Sequence, residues 1–267
     1  GRSLIRLDND TSGTFFDNQL SPPWGYIHGV VIDRNDTKWM YTTVPWKMEE
    51  QFLLIFNENK IVEGTEETGW MKLSKDDGLL SNIVLSLAID LDGVVWAGTG
   101  LGVVYFPDPL KPKSYYSSYP LQEQVIQSIA VDALNNKWIG TKEGIFVVNS
   151  DGTQLLQSYT VASTNKQLLS NDVRSIAIDQ KRGIAYFGTE QGLSSLAIVA
   201  VQTSRAYSEL ECGPNPYLLP NDQPLMIRNL VANSTIKILT VSGSVVKQFD
   251  AQGGGRAFWD GRDKNGA

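Results

Sequence analysis

Aligned with itself, the chain repeats one short pattern in order. The stretch "IDLDGVVWAGTGLG", Ile89 to Gly102, carries Asp90, Trp96, Gly98, Thr99 and Gly102. "VIQSIAVDALNNKWIGTKEG" sets Asp132, Trp138, Gly140, Thr141 and Gly144 at the same gaps. "VRSIAIDQKRGIAYFGTEQG" adds one residue and puts Tyr186 at the tryptophan place, with Asp179, Gly188, Thr189 and Gly192. A worn first copy, "VVIDRNDTKWMYT", keeps Asp33, Trp39 and Thr42 but has Tyr41 where glycine is expected. The aromatic place steps by 57, 42 and 48 residues, near the roughly 40 to 50 of one four-stranded propeller blade. The lead-in "LLSN" also recurs, at 79–82 and 168–171.

Each unit reads as an antiparallel meander of strands a to d. Along strand a, small residues (Ser86 and Ala88, Ser128 and Ala130, Ser175 and Ala177) share one face. Large ones (Leu87 and Ile89, Ile129 and Val131, Ile176 and Ile178) share the other, as an inner strand buried between two blades requires. The aspartate is expected to accept backbone N–H groups in the a–b turn, with a nearby glycine taking φ > 0. Trp96 and Trp138 are expected as wedges between blades. The Thr-x-x-Gly ending predicts a type I hairpin with glycine in the left-handed slot.

The lead-in, the Asp turn and Trp-x-Gly-Thr resemble the two-component regulator propeller repeat over about residues 1–200. Gly1 aligns with Gly144, "SLIRLD" with a strand c and "GTFFDN" with a strand d. The fold class expected is therefore all-β, a partial β-propeller with about four and a half four-stranded blades visible over 1–203. The resemblance implies six to eight blades in a closed ring, so an N-terminally incomplete arc of a longer protein is expected.

From about Ser204 the spacing stops. Pro214-Asn215-Pro216 and Pro220 stiffen a linker, and "PLMIRNL", "STIKILTV" and "SVVKQFD" alternate as short strands before "FWDGRDKNG". Residues 204–267 are expected to form a small immunoglobulin-like β-sandwich that leans on the propeller. Pro-Asn-Pro, the "VSGSVV" hairpin and "WDGRDKNG" resemble FlgD-type immunoglobulin-like domains and the C-terminal domains of type IX secretion, with the last strand missing. Together the two parts are similar to the C-terminal section of PorZ-like proteins of Bacteroidetes. That resemblance implies an exported protein, at the cell surface, outer-membrane associated or periplasmic, that works by binding. The partners it implies are a surface glycan or lipopolysaccharide, or secretion-system proteins. The alternative is the periplasmic ligand-sensing propeller of a hybrid two-component system.

Composition narrows the chemistry. A formal net charge of -6 argues against a nucleic-acid partner. The longest apolar run, Leu196 to Val201, is far short of the ~20 residues of a membrane span, so no transmembrane segment is expected in this chain. One cysteine, Cys212, and one histidine, His28, remove internal disulfides, the usual zinc sites and most His-dependent triads. "DLDG" suggests calcium, but Asp92 faces Leu134 and Lys181 in the sister units, so turn capping is the better reading. "DNDTSG" from Asp8 ends on Gln19 where an EF-hand needs glutamate, and reads as a hairpin. No catalytic residues, metal or cofactor are expected, and the chain is read as non-enzymatic.

The positions that the sister units do not share are the candidate ligand-binding residues. His28, in register with Leu85, Gln127 and Arg174, opens the first inner strand. His28, Gln127 and Arg174 are expected to ring the channel mouth at the end that carries the d–a and b–c loops. The first unit lengthens its b–c loop there, "TVPWKMEEQ", and presents Trp46. Against this stands the plain reading that channel mouths are polar because they are wet. Tyr115, Tyr116 and Tyr119 fall where strand d belongs and read as blade packing.

Overall fold

A computed structural model describes residues 4–9, 12–16, 26–43, 52–61, 68–203, 209–219, 224–251 and 254–266. Its sheets follow the repeat. β1 (Leu4–Asn9) and β2 (Ser12–Phe16) form a two-stranded antiparallel ribbon. A four-stranded meander follows: β3 (Tyr26–Ile32), β4 (Lys38–Thr43), β5 (Leu53–Ile61) and β6 (Thr68–Leu73). The next comprises β7 (Val84–Ile89), β8 (Val95–Thr99), β9 (Gly102–Phe106) and β10 (Tyr116–Ser117). The third comprises β11 (Ile126–Val131), β12 (Lys137–Thr141), β13 (Ile145–Val148) and β14 (Leu155–Tyr159). The last has β15 (Val173–Asp179), β16 (Ile184–Thr189) and β17 (Gly192–Ala197), three strands among the described residues rather than four.

The repeated aspartate and tryptophan are joined. In the second blade Oδ1 of Asp90 accepts the backbone N–H groups of Asp92 (3.0 Å) and Val94 (2.9 Å), while Oδ2 accepts Nε1 of Trp96 (2.9 Å). The same three bonds form at Asp33 with Asn35, Thr37 and Trp39, and at Asp132 with Leu134, Asn136 and Trp138. Turn cap and wedge are thus one device, which explains their fixed separation. The turn's positive-φ place is filled by Asp36 (61°), Gly93 (86°) and Asn135 (64°), residues that tolerate it. In the last blade the extra residue moves this place to Gly183 (66°), and Tyr186 has no indole to reach Asp179.

The core consists of layers between neighbouring blades. Trp39 packs with Val84, Val95 and Phe106 of the next sheet; Trp96 with Ile126, Ile129 and Ile139; and Trp138 with Val173, Ala185 and Phe187. Truncating one of these indoles to alanine costs about 3–5 kcal/mol. The small face of strand a meets the glycine of Gly-Thr: a Cβ on Gly98 would lie 2.3 Å from Oγ of Ser86, and one on Gly140 2.4 Å from Oγ of Ser128. In the first blade the pair is inverted. Gly29 stands opposite Tyr41, and a Cβ there would lie 2.3 Å from the Tyr41 ring.

The glycine of each Thr-x-x-Gly hairpin takes the positive φ expected of it. Gly102 and Gly144 take φ of 127° and 125°, and a Cβ on them would lie 2.9 Å from the Leu121 carbonyl and 2.4 Å from that of Tyr159. Glycine is needed because the outer segment of the same blade passes over the turn. The threonine hydroxyl closes the hairpin, Oγ1 of Thr99 donating to the Gly102 carbonyl at 2.8 Å.

After residue 203 the sheets change. β18 (Glu211–Gly213), β19 (Leu225–Arg228) and β22 (Arg256–Trp259) form one sheet, and β20 (Thr235–Leu239) with β21 (Val245–Asp250) a second. Ile227 and Ala257 of the first enclose a small core with Ile236, Ile238 and Phe249 of the second. This part leans on the last blade. Val201 bridges Gly254, the Gly255 N–H donates to the Val201 carbonyl at 2.8 Å, and Nη2 of Arg256 donates to the Arg182 carbonyl at 2.8 Å.

Candidate functional site

Every inner strand carries a register break at the same place. Pairing skips a residue between Ile27 and Gly29, Val84 and Ser86, Ile126 and Ser128, and Val173 and Ser175. The skipped residues are His28, Leu85, Gln127 and Arg174. Such a bulge frees one residue from the ladder and re-aims its side chain. The d–a and b–c segments meet at this end, since the Gly100 N–H donates to the Ile83 carbonyl (2.9 Å) and the Glu190 N–H to the Asp172 carbonyl (3.1 Å).

Gln127 and Arg174 are brought together through Asp172. Nε2 of Gln127 crosses to the next blade and donates to Oδ1 of Asp172 (2.6 Å) and to the Val173 carbonyl (3.2 Å). Nη2 of Arg174 donates to the other oxygen, Oδ2, at 3.1 Å, and lies 3.9 Å from Glu190. The Gln127 amide, and then the Arg174 guanidinium, hold the Asp172 carboxyl below the usual carboxylate range. Asp172 in turn holds Arg174 above its ordinary value. The Arg174 side chain is 60% exposed against 20% for Asp172, so the guanidinium is positioned from behind and open in front.

His28 stands on β3, its ring stacked on Tyr41 at 6.3 Å between centroids with planes 20° apart. Burial pushes the Tyr41 hydroxyl pKa up. Trp46 lies outside the described residues. Tyr115 packs at a tilt on Phe106 and Tyr116 stacks on Tyr105, as expected of blade packing, but Tyr116 and Tyr119 are both largely exposed.

Sequence reasoning missed Asp172, which follows the second "LLSN" where the first is followed by Ile83; that contrast was its only signal. It also missed Lys137. This lysine is fully buried between the second and third blades, with Nζ 2.8 Å from Oδ2 of Asp90, 2.9 Å from the Asn135 carbonyl and 4.4 Å above the Trp96 ring. Burial lowers its pKa. Burial pulls Asp90 upward, but Lys137, Trp96 and the Val94 N–H outweigh it and leave that carboxyl below its ordinary value. At 0% and 2% side-chain exposure the pair is a structural rivet out of reach of a substrate. Among the described residues no group of His, Cys, Asp or Glu is placed to hold a metal ion, and no helix is long and apolar enough to cross a membrane.

No protein-family model matches the sequence, and no curated protein matches it. The fold is shared with solved structures. PorZ, a surface component of the type IX secretion system of Porphyromonas gingivalis, superposes with a TM-score of 0.60 at 22% identity over 96% of this chain. The extracellular domain assigned to a hybrid two-component system of B. thetaiotaomicron does so at 0.53, with 13% identity over 96% of this chain. That assigned to a one-component system of the same organism gives 0.52, with 17% identity over 87%. This chain spans 37%, 39% and 28% of those chains respectively.

Proposed function

We propose that this chain is part of an exported, non-enzymatic binding scaffold, a PorZ-like component or accessory of type IX secretion at the cell surface. In this reading residues 1–203 are propeller blades and 204–267 an immunoglobulin-like domain. The contact surface is the bulge end of the blades, with His28, Gln127 and Arg174 and the first b–c loop with Trp46. The ligand class is a surface glycan such as lipopolysaccharide. The observation that carries the reading is the bulge itself: the scaffold repeats around it, while the bulged residue differs from blade to blade and at Arg174 is a held, open cation. A guanidinium fixed by a carboxylate loses little freedom when it binds a sugar hydroxyl or an anionic substituent.

The test is binding of lipopolysaccharide purified from a Bacteroidetes cell surface, measured by surface plasmon resonance. Gln127→Ala with Arg174→Ala should weaken it about tenfold, the effect of losing one or two hydrogen bonds to a charged group. Unchanged affinity in that double variant would remove the mouth as the site. The sensor-domain reading draws on the same fold likeness. A membrane span and kinase module downstream in the parent protein would favour it over a secretion component.

A further inference from the structure

The other end of the molecule holds an arrangement that this reading does not use. The a–b turn of the last blade carries Lys181 and Arg182, and antiparallel pairing of β19 with β22 sets Arg228 directly opposite Arg256. These four cations line a cleft of about 570 Å³ between the last blade and the C-terminal sheets, with Glu211 as the one carboxylate lining it. In a chain of net charge -6 such a gathering is not a statistical background.

Arg182 pairs with Asp179 at 3.8 Å, while the other three cations are in no ion pair among the described residues. Like charges directly opposite one another in a sheet destabilise it. Glu211 faces Arg228 in register, yet among the described residues no ion pair joins them, and none engages Lys181. Arg256 spends Nη2 on the Arg182 carbonyl, while its Nε is buried without a hydrogen-bond partner. A buried donor left unmade is costly, and a ligand that supplies the acceptor recovers the cost.

We propose that this cleft binds an oxyanion of the phosphate class. A tetrahedral dianion offers acceptor oxygens to Arg228, to the orphaned Nε of Arg256 and to Lys181 together, whereas one carboxylate has only two oxygens. The cleft belongs to the a–b turn end and the mouth to the d–a and b–c end, so either site can fail without the other.

The test is isothermal titration of the full 267-residue chain at constant ionic strength with inorganic phosphate, glucose 1-phosphate and glucose. Saturable binding of phosphate is expected, weakened about tenfold by Arg228→Gln with Lys181→Gln and left unchanged by Lys111→Gln, at an exposed lysine outside both sites. Both replaced side chains are exposed, and an unaltered circular dichroism melt shows that the fold is kept. Tighter glucose 1-phosphate with silent glucose assigns the site to a phosphorylated glycan; equal affinities assign it to the phosphate group alone. No saturable phosphate binding, or equal binding by the double variant, overturns the proposal.

Discussion

A single side chain sets each blade's turn. The two oxygens of the repeated aspartate divide their work: one closes the turn by accepting two backbone N–H groups, and the other fixes the indole six residues on. At Asp90 the second oxygen also holds Lys137 of the next blade. Breaking a buried pair by removing one partner costs about 3–5 kcal/mol, because the other charge is stranded. Lys137→Met, which keeps the stem over Trp96, is expected to lose that much in urea unfolding at pH 7. The pH dependence has a definite sign. In the native protein Asp90 is held below its unfolded value of about 3.9, so its contribution is present above that pH and lost as pH falls through the folded value. Without Lys137, burial raises the Asp90 pKa, and protonation relieves the stranded charge. The penalty should therefore shrink toward pH ~4, near the value of a carboxyl in the unfolded chain. An equal penalty at both pH values would show that Lys137 acts through packing alone.

At the scale of the element, strand a and strand b are fitted as a pair. Three blades place serine on strand a against glycine on strand b; the first places Gly29 against Tyr41. Adding Oγ at Gly29 drives into the Tyr41 ring, and overpacking of this kind costs about 1–3 kcal/mol. Gly29→Ser should lose that much by itself. Combined with Tyr41→Gly, which restores the sister pattern, it should cost less than the two single losses summed. Strict additivity would mean the two residues are not complementary. The repeat, the inner strands and the wedges were legible because they rest on local spacing and on face alternation. The meaning of Tyr41 was not, since its compensating Gly29 is visible only once the register is known. The bulges were hidden for a related reason: the four bulged residues stand in alignment, but nothing in a one-dimensional pattern shows that pairing skips them. Lys137 had only a divided signal, since the place before the aromatic is the buried Val95 and Ala185 in two sister blades but Lys38 in the first. The three strands of the last blade, and the route by which Val201 pairs with Gly254, depend on contacts between distant segments that spacing does not encode.

For the whole molecule, a core built in layers between blades means that a strand is buried only as far as it has neighbours. β7 and β11 are flanked on both sides, and their small faces and much of their large faces are covered. The large face of β3 has no inner strand before it among the described residues, and Tyr26, Val30 and Ile32 are 54%, 54% and 57% exposed. In the sister blades the residues in register with Val30 and Ile32, Leu87 with Ile89 and Ile129 with Val131, pack against the preceding tryptophan. An apolar strand face of this kind drives association in water unless it is covered. The net charge of -6 opposes association only at long range and is screened by salt. The 267-residue chain by itself is therefore expected to self-associate with rising concentration and salt in sedimentation velocity, and to bind a hydrophobic dye such as ANS. Val30→Lys with Ile32→Lys should return it to a monomer and abolish the dye signal. The cationic cleft lies at the last blade, away from β3, so the phosphate titration should be unaffected by that variant. A chain that stays monomeric at high salt without binding the dye would mean that the β3 face is covered in solution.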